Sequence, residues 1–171
     1  MIIPSEGIVL GSTPSRNTMN QKFVDFLKQN NLDIKIQNFD EFTHTAAQAA
    51  EALNCTVSEI AKSLIFKSES GQPVLVIASG SNRIDTSKIA SLLGESISKA
   101  DADFVKTSTG YTIGGVPPFA FPQKIITFID QDLLKFITIW AAAGTNNSVF
   151  SLTPDNLIKI SQGKVSDISQ S

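Results

Sequence analysis

The run Pro73-Val74-Leu75-Val76-Ile77-Ala78 constrains this chain more than any other. It is apolar throughout and rich in β-branched residues, which reads as a strand. A strand with no polar alternation is covered on both faces. The fold therefore has to lay other elements over each side of a central sheet. Ser70-Gly71 supplies a turn just before this strand, and Leu64-Ile65-Phe66 reads as the strand that enters that turn.

The remaining segments interleave. Alternation over Asp33-Ile34-Lys35-Ile36-Gln37 predicts a half-buried strand. Further strands are expected over 124–129, 136–140 and 149–152, with a short last one at Val165. A helix is expected at about 19–29, where Phe23, Phe26 and Leu27 share a face and Asn17 or Thr18 can cap. Thr45 and Gln48 fit a capping box ahead of an alanine-rich helix that ends near Leu53, and Thr56 with Glu59 repeats the pattern. Asp85 caps a helix that turns Ile89, Leu92 and Leu93 inward and stops at Gly94. Short helices are expected over 100–107 and 130–135. Thr153-Pro154 opens another over 154–161, which Gly163 ends.

These elements make an α+β single domain: a curved mixed β-sheet, largely antiparallel, packed by helices. Residues 1–17 read as an N-terminal extension, in which Ile8-Val9-Leu10 could add an edge strand, and 18–171 as the domain. The 171 residues are 42% apolar and 18% charged, enough for a core and too apolar for disorder. A net charge of −2 excludes a general nucleic-acid coat, though not a local basic patch. Cys55 is the only cysteine, so no intrachain disulfide can form. No basic start followed by an apolar stretch and no run of membrane-spanning length is present, so a cytoplasmic protein with no membrane partner is expected.

Two stretches stand apart. Residues 110–119 carry three glycines, two prolines and no charge. Such a run is either an ordinary turn between strands or a stiff loop whose peptide groups a ligand can approach. Lys62 lies in the apolar setting of Ile60-Ala61 and Leu64-Ile65-Phe66. It is either a surface lysine ending a helical turn, or one whose stem crosses apolar surface and whose ammonium binds a phosphate or a carbonyl oxygen. His44 is the sole histidine, and Cys55 has no histidine near it in sequence. No metal-ligand spacing is present, and no Gly-X-Ser-X-Gly elbow. Gly80-Ser81-Asn82-Arg83 fits neither a phosphate loop nor a dinucleotide fingerprint. Trp140 and Tyr111 read as core or pocket lining. The residues alone stop at a mixed α and β domain with one loop-lined pocket.

The order of three runs goes further. Glu59-Ile60-Ala61-Lys62-Ser63-Leu64-Ile65-Phe66 is followed by Thr109-Gly110-Tyr111-Thr112-Ile113-Gly114-Gly115-Val116-Pro117-Pro118-Phe119. The third is Trp140-Ala141-Ala142-Ala143-Gly144-Thr145-Asn146-Asn147-Ser148. Together they resemble the YbaK/prolyl-tRNA-synthetase-associated domain family, from about residue 20 to 168. The resemblance implies hydrolysis of the ester of mischarged tRNA, chiefly alanyl- or cysteinyl-tRNA for proline. It implies that Lys62 is the functional lysine. It also implies that Gly114, Gly115, Val116, Pro117 and Pro118 form the Gly-X-X-X-Pro loop near the ester carbonyl. Ala142, Gly144, Thr145 and Asn147 match the opposite wall of the pocket, and His44-Thr45 matches a pair frequent in one subgroup. Family members are thought to let the terminal ribose hydroxyl help activate water, so no cofactor and no metal is expected. The implied partners are the acceptor end of aminoacyl-tRNA and, with it, a synthetase.

Two departures bear on substrate. The second loop has Ala142-Ala143-Gly144-Thr145-Asn146-Asn147 where YbaK-type cysteinyl-tRNA deacylases carry Ser-Gly-Gly and a basic pair, so cysteine specificity does not transfer. Asn146 stands where many relatives have proline. Two other readings stay open: a non-catalytic module of the same fold that binds tRNA or a synthetase, and a hydrolase of other small acyl esters.

Overall fold

A computed structural model describes residues 14–40 and 45–170. Helix α1 spans Pro14–Gln29 and strand β1 Ile36–Asn38. Helix α2, Ala46–Leu53, leads through a 3-10 turn at Val57–Glu59 into β2, Ala61–Ser68. Strand β3 is Pro73–Ser79, α3 Thr86–Leu93, β4 Ile97–Lys99 and α4 Ala102–Thr109. After the glycine-rich stretch come β5, Ile126–Asp130, and a 3-10 turn over Gln131–Lys135. Strands β6, Ile139–Ala142, and β7, Ser148–Leu152, precede α5, Pro154–Ser161, and β8, Lys164–Ser166.

The strands form two sheets. One is β1-β7-β6 and the other β4-β2-β3-β5-β8. Pairing is antiparallel except at β3–β5 and β5–β8, which gives the expected mixed, largely antiparallel architecture. A single parallel bridge, Ile60 to Trp140, joins the sheets. Strand β3 is central, and its residues from Val74 to Ser79 are buried, as its unbroken apolar run requires. Leu75 and Ile77 enter the main core, while Val74 and Val76 join Ile89, Phe128 and Ile168 on the other face.

The helix starts follow local chemistry. Thr45 accepts the N–H of Gln48, Asp85 those of Ser87 and Lys88, Asp101 that of Phe104, and Thr153 that of Asn156. The Thr56–Glu59 capping box is present. Several boundaries differ from expectation. Helix α1 begins at Pro14, so Asn17 and Thr18 lie inside it rather than capping it. Strand β1 is shorter and later than 33–37, and the left-handed residue that ends α5 is Gln162, one before Gly163. Strand β2 starts at Ala61, so Lys62 is a strand residue and not the end of a helical turn. Pairing with β3 explains that shift, because Ala61 and Lys62 lie opposite Ser79 and Ala78 and carry the ladder back beyond the apolar run. Residues 8–10 and His44 lie outside the described residues.

An aromatic cluster ties helix, loop and sheet together. Phe23 of α1 lies 5.0 Å from Phe150 of β7 and 5.7 Å from Phe119, ring centre to ring centre. Phe119 and Phe150 are also 5.7 Å apart. Edge-inclined aromatic pairs at such distances add about 0.5–1.5 kcal/mol beyond burial. Phe119 thus fixes the far end of the 110–119 stretch in the core.

Gly80, at the end of β3, is a second fixed point. A Cβ there would meet the carbonyl oxygen of Val57 and lie 3.2 Å from the Cβ of Ile60. Gly80 N–H also donates to Ile60 O at 2.7 Å. The close fit presses the entry to β2 onto the end of β3. Gly80→Ala should therefore cost about 1–3 kcal/mol, read in thermal melts as a Tm lower by roughly 2–4 °C per kcal/mol for a chain of this size. An unchanged Tm would mean that this contact yields without cost.

Candidate active site

The 110–119 stretch is a clamped loop. Gly110 ends α4 in a left-handed conformation at φ 84°. Tyr111 is buried, and its hydroxyl donates to Ala120 O at 2.9 Å, closing the loop across its neck. Burial pushes the Tyr111 phenol well above its usual range, so it stays protonated and keeps donating. Within the loop, Gly115 N–H donates to Thr112 O at 3.0 Å. Gly114 has φ 92°, which only glycine takes without strain. Val116, Pro117, Pro118 and Phe119 are buried, so the second half of the loop is a wedge in the core and only Thr112, Ile113 and Gly114 reach solvent.

The second loop, 143–147, is held from within. Thr145 Oγ1 donates to Asn147 Oδ1 at 2.8 Å, and Asn147 Nδ2 donates to Phe39 O at 3.1 Å. Thr145 has one proton, and an amide oxygen cannot donate. Ser148 is therefore the donor in its 2.6 Å contact with Thr145 Oγ1. Phe39 N–H returns to Asn147 O at 2.7 Å, so the loop is sewn to the segment after β1. Gly144 turns at φ 103°.

The two loops touch. A Cβ on Gly115 would stand 2.9 Å from Thr145 Cα, and one on Gly114 2.9 Å from Asn146 Oδ1. At Gly115 backbone meets backbone, which only glycine permits, whereas Gly114 faces the Asn146 side-chain amide. Gly115 N–H is spent within its own turn. Among the described residues no hydrogen bond engages the N–H groups of Gly114 and Val116. Pro117 and Pro118 have none to offer.

Lys62 reaches this region from β2. The bridge pairs Ile60 with Trp140, and β2 and β6 run parallel from it. Side chains alternate along a strand. Lys62 and Ala142 therefore project from the face that Ile60 and Trp140 share, whereas Ala61 and Ala141 enter the main core. Lys62 and Ala142 are half-exposed on that face, and Asn146, also half-exposed, stands against the exposed Gly114. Buried Gly115, Val116, Pro117, Pro118, Gly144, Thr145 and Asn147 support it from below. Thr45 is exposed and caps α2.

Among the described residues Lys62 Nζ donates to Asn82 O, at 2.7 Å. Burial lowers its proton affinity, the nearby carboxylate of Asp130 opposes that, and the Arg83 cation adds to it. Behind Asn82 lies a group that the linear sequence did not single out. Asp130 is fully buried, and its Oδ2 accepts Ser79 N–H at 3.1 Å and Asn82 Nδ2 at 2.8 Å. The only sequence sign of it was a carboxylate closing an apolar strand. Among the described residues no group of three or more His, Cys, Asp or Glu could hold a metal ion, and no helix is long and apolar enough to cross a membrane.

Comparison with known proteins agrees with this architecture. The aminoacyl-tRNA editing domain matches residues 40–160. The uncharacterised protein YwhH of Bacillus subtilis (strain 168) is 35% identical over 135 residues, 79% of this chain and 86% of that one. A protein of Enterococcus faecalis (strain ATCC 700802 / V583), EbsC, provisionally named a Cys-tRNA(Pro)/Cys-tRNA(Cys) deacylase, is 22% identical over 126 residues, 73% of this chain and 77% of its own. A crystal structure provisionally assigned as a trans-editing enzyme for prolyl tRNA synthetase superposes with a TM-score of 0.85 at 32% identity, covering 94% of this chain and all of that one. With its fold and most of its length matched, the chain belongs to the aminoacyl-tRNA editing domain family.

Proposed function

We propose that this chain is a trans-editing deacylase that hydrolyses the ester of a mischarged aminoacyl-tRNA carrying a small amino acid such as alanine or cysteine, working in the cytoplasm. The observation that carries this reading is the close contact of Gly115 with the Thr145 backbone and of Gly114 with the Asn146 side chain. Ester hydrolysis needs donors aimed at the oxygen where negative charge develops. The uncommitted N–H groups of Gly114 and Val116 suit that role, and both sit in a loop fixed at Tyr111 and Phe119. The Lys62 ammonium has three protons, one of them on Asn82 O. The other two can hold the terminal phosphate or the ester oxygen.

In this reading water adds to the carbonyl carbon, and the negative charge gathers on the carbonyl oxygen facing the loop. The bond from carbon to ribose oxygen then breaks, and the ribose oxygen takes a proton. A neighbouring ribose hydroxyl relays the proton from the attacking water, which removes the need for a side-chain base. Ala142 presents a methyl group to the substrate face and leaves little depth, so selection is by size. One methylene is worth about 1–3 kcal/mol in such a pocket. Lys22 and Lys106 supply phosphate contacts for the acceptor end. Lys106 Nζ lies 3.4 Å from Gly110 O, and Lys22 Nζ is 3.1 Å from where a Gly110 Cβ would stand. Help from a synthetase belongs to the same reading.

The direct test is turnover of a panel of aminoacyl-tRNAs. Wild type should deacylate at least one small-residue tRNA, with Lys62→Ala slower by about 10²-fold or more. Equal rates for the two proteins would reject the lysine's role. Tight tRNA binding without turnover by wild type would favour a binding module instead. Gly115→Ala should lose most activity while its tRNA affinity changes little, because the added methyl forces the loops apart. The cationic lysine is the active form, and burial lowers its proton affinity. After correction for spontaneous hydrolysis, kcat/KM should therefore fall on the alkaline side at a pH below the ordinary lysine range. Replacing Lys22 and Lys106 together by alanine should make the slope of log Kd against log salt shallower by about one to two.

A further inference from the structure

The turn after β3 does more than close a connection. Asn82 N–H donates to Ser79 O at 2.9 Å, which shapes the turn. Its side-chain amide donates both protons across the sheet end, to Asp130 Oδ2 and to Asp132 Oδ2, each at 2.8 Å. Asp130 Oδ1 accepts Asp132 N–H at 3.0 Å, so the two carboxylates form one rigid receptor. Asp132 is itself paired with Lys135 at 3.1 Å. The Asn82 carbonyl is what the Lys62 ammonium grips.

We propose that Asn82 is a positioning residue for Lys62: its amide, clamped between Asp130 and Asp132, fixes the carbonyl that anchors the ammonium. This rests on the reading of Lys62 given above and extends it to the groups that hold the lysine in place. A lysine has four rotatable bonds, and an anchored ammonium gives up their freedom before substrate arrives. The clamp is costly unless it serves something. A buried carboxylate requires hydrogen-bond partners, and Asp130 takes them from Ser79, Asn82 and Asp132. Both side-chain amide protons of Asn82 are thereby consumed, and its backbone carbonyl accepts the Lys62 ammonium. The charged groups around the ammonium are Asp130 and Arg83, with Asp132 and Lys135 behind Asn82. Asp130 favours the cation and Arg83 disfavours it.

The test uses the full chain with Asn82→Ala, Asp130→Asn, Arg83→Ala and Lys62→Ala. The first readout is acylation of the Lys62 amine by an amine-reactive ester, followed by peptide mass spectrometry at fixed pH. Only the neutral amine reacts. Asn82→Ala leaves the backbone carbonyl in place but unclamped, which loosens the ammonium, and Asp130→Asn withdraws a favourable charge, so each should label Lys62 at least about threefold faster than wild type, where a tenfold change equals one pH unit. Arg83→Ala should label it more slowly. The second readout is deacylation, where loss of the anchor should reduce kcat about ten- to hundredfold, with KM changed far less. Thermal melts identify folded variants. If Asp130→Asn does not fold, Asn82→Ala, which lies at a surface turn, decides.

Unchanged labelling in folded Asn82→Ala overturns the proposal whether or not any protein shows turnover. Faster labelling with kcat unchanged overturns the positioning role. If Lys62→Ala keeps wild-type turnover, the lysine's assignment itself fails and Asn82 positions nothing catalytic. That result is distinguished from the others because it appears in the activity of Lys62→Ala alone.

Discussion

Among the described residues the two sheets meet at one backbone bridge, Ile60 to Trp140, and the placement of the candidate site depends on it. Strand alternation carries that single pairing forward, so that Lys62 and Ala142 emerge side by side on the outer face. A one-residue slip would turn the lysine into the core and expose Ala61. The bridge is held by packing on either side. Gly80 lets the 57–60 turn lie directly on the end of β3, and Ile60 sits with Ala49, Ala50 and Trp140 in its own small cluster. The fold thus spends two glycine contacts, one at Gly80 and one at Gly115, on bringing backbones together where side chains would hold them apart.

The seam divides its labour between surface and support. Gly114, Ala142, Asn146 and the end of Lys62 meet solvent, beside the exposed Thr112 and Ile113. The residues beneath them are rigid for reasons that can be named. The prolines have fixed φ, Tyr111 is bonded to Ala120, and the chain Ser148–Thr145–Asn147–Phe39 satisfies each buried polar group in turn. A site of backbone donors needs this arrangement, since a donor that moves with the solvent stabilises a developing charge no better than water does. The Lys62 ammonium is held in turn from the other sheet, by Asn82 O, whose side chain is bonded to Asp130.

Much of this was legible in the linear sequence, and the reasons differ by element. The β3 run, the capping threonines and aspartates, and the Thr153-Pro154 start are local signals, and the structure follows them. The 110–119 loop was visible as a stiff, uncharged stretch, but nothing local said what it would touch. Its meaning came from Thr145, whose backbone excludes any side chain at Gly115. Strand β4 was missed because Ile97-Ser98-Lys99 carries no pattern of its own and exists through pairing with β2. The end of a helical turn stays open for Lys62 in the sequence because its strand begins through pairing with β3 and not through its own apolar run. Asn82 and Asp130 are 48 positions apart, so their bond could not be read from spacing. Gly80-Ser81-Asn82-Arg83 fits no phosphate loop, so nothing local marks Asn82.

The central claim is that the seam holds an aminoacyl ester with its carbonyl oxygen against the N–H groups of Gly114 and Val116. The most direct measurement is a crystal structure with a non-hydrolysable aminoacyl-adenosine amide. The claim predicts the amide carbonyl oxygen at about 2.7–3.1 Å from those nitrogens, with the amino-acid side chain over Ala142 and the Lys62 ammonium on the adenosine end. A carbonyl bound elsewhere, or a ligand seated on the opposite face of β2, would contradict it.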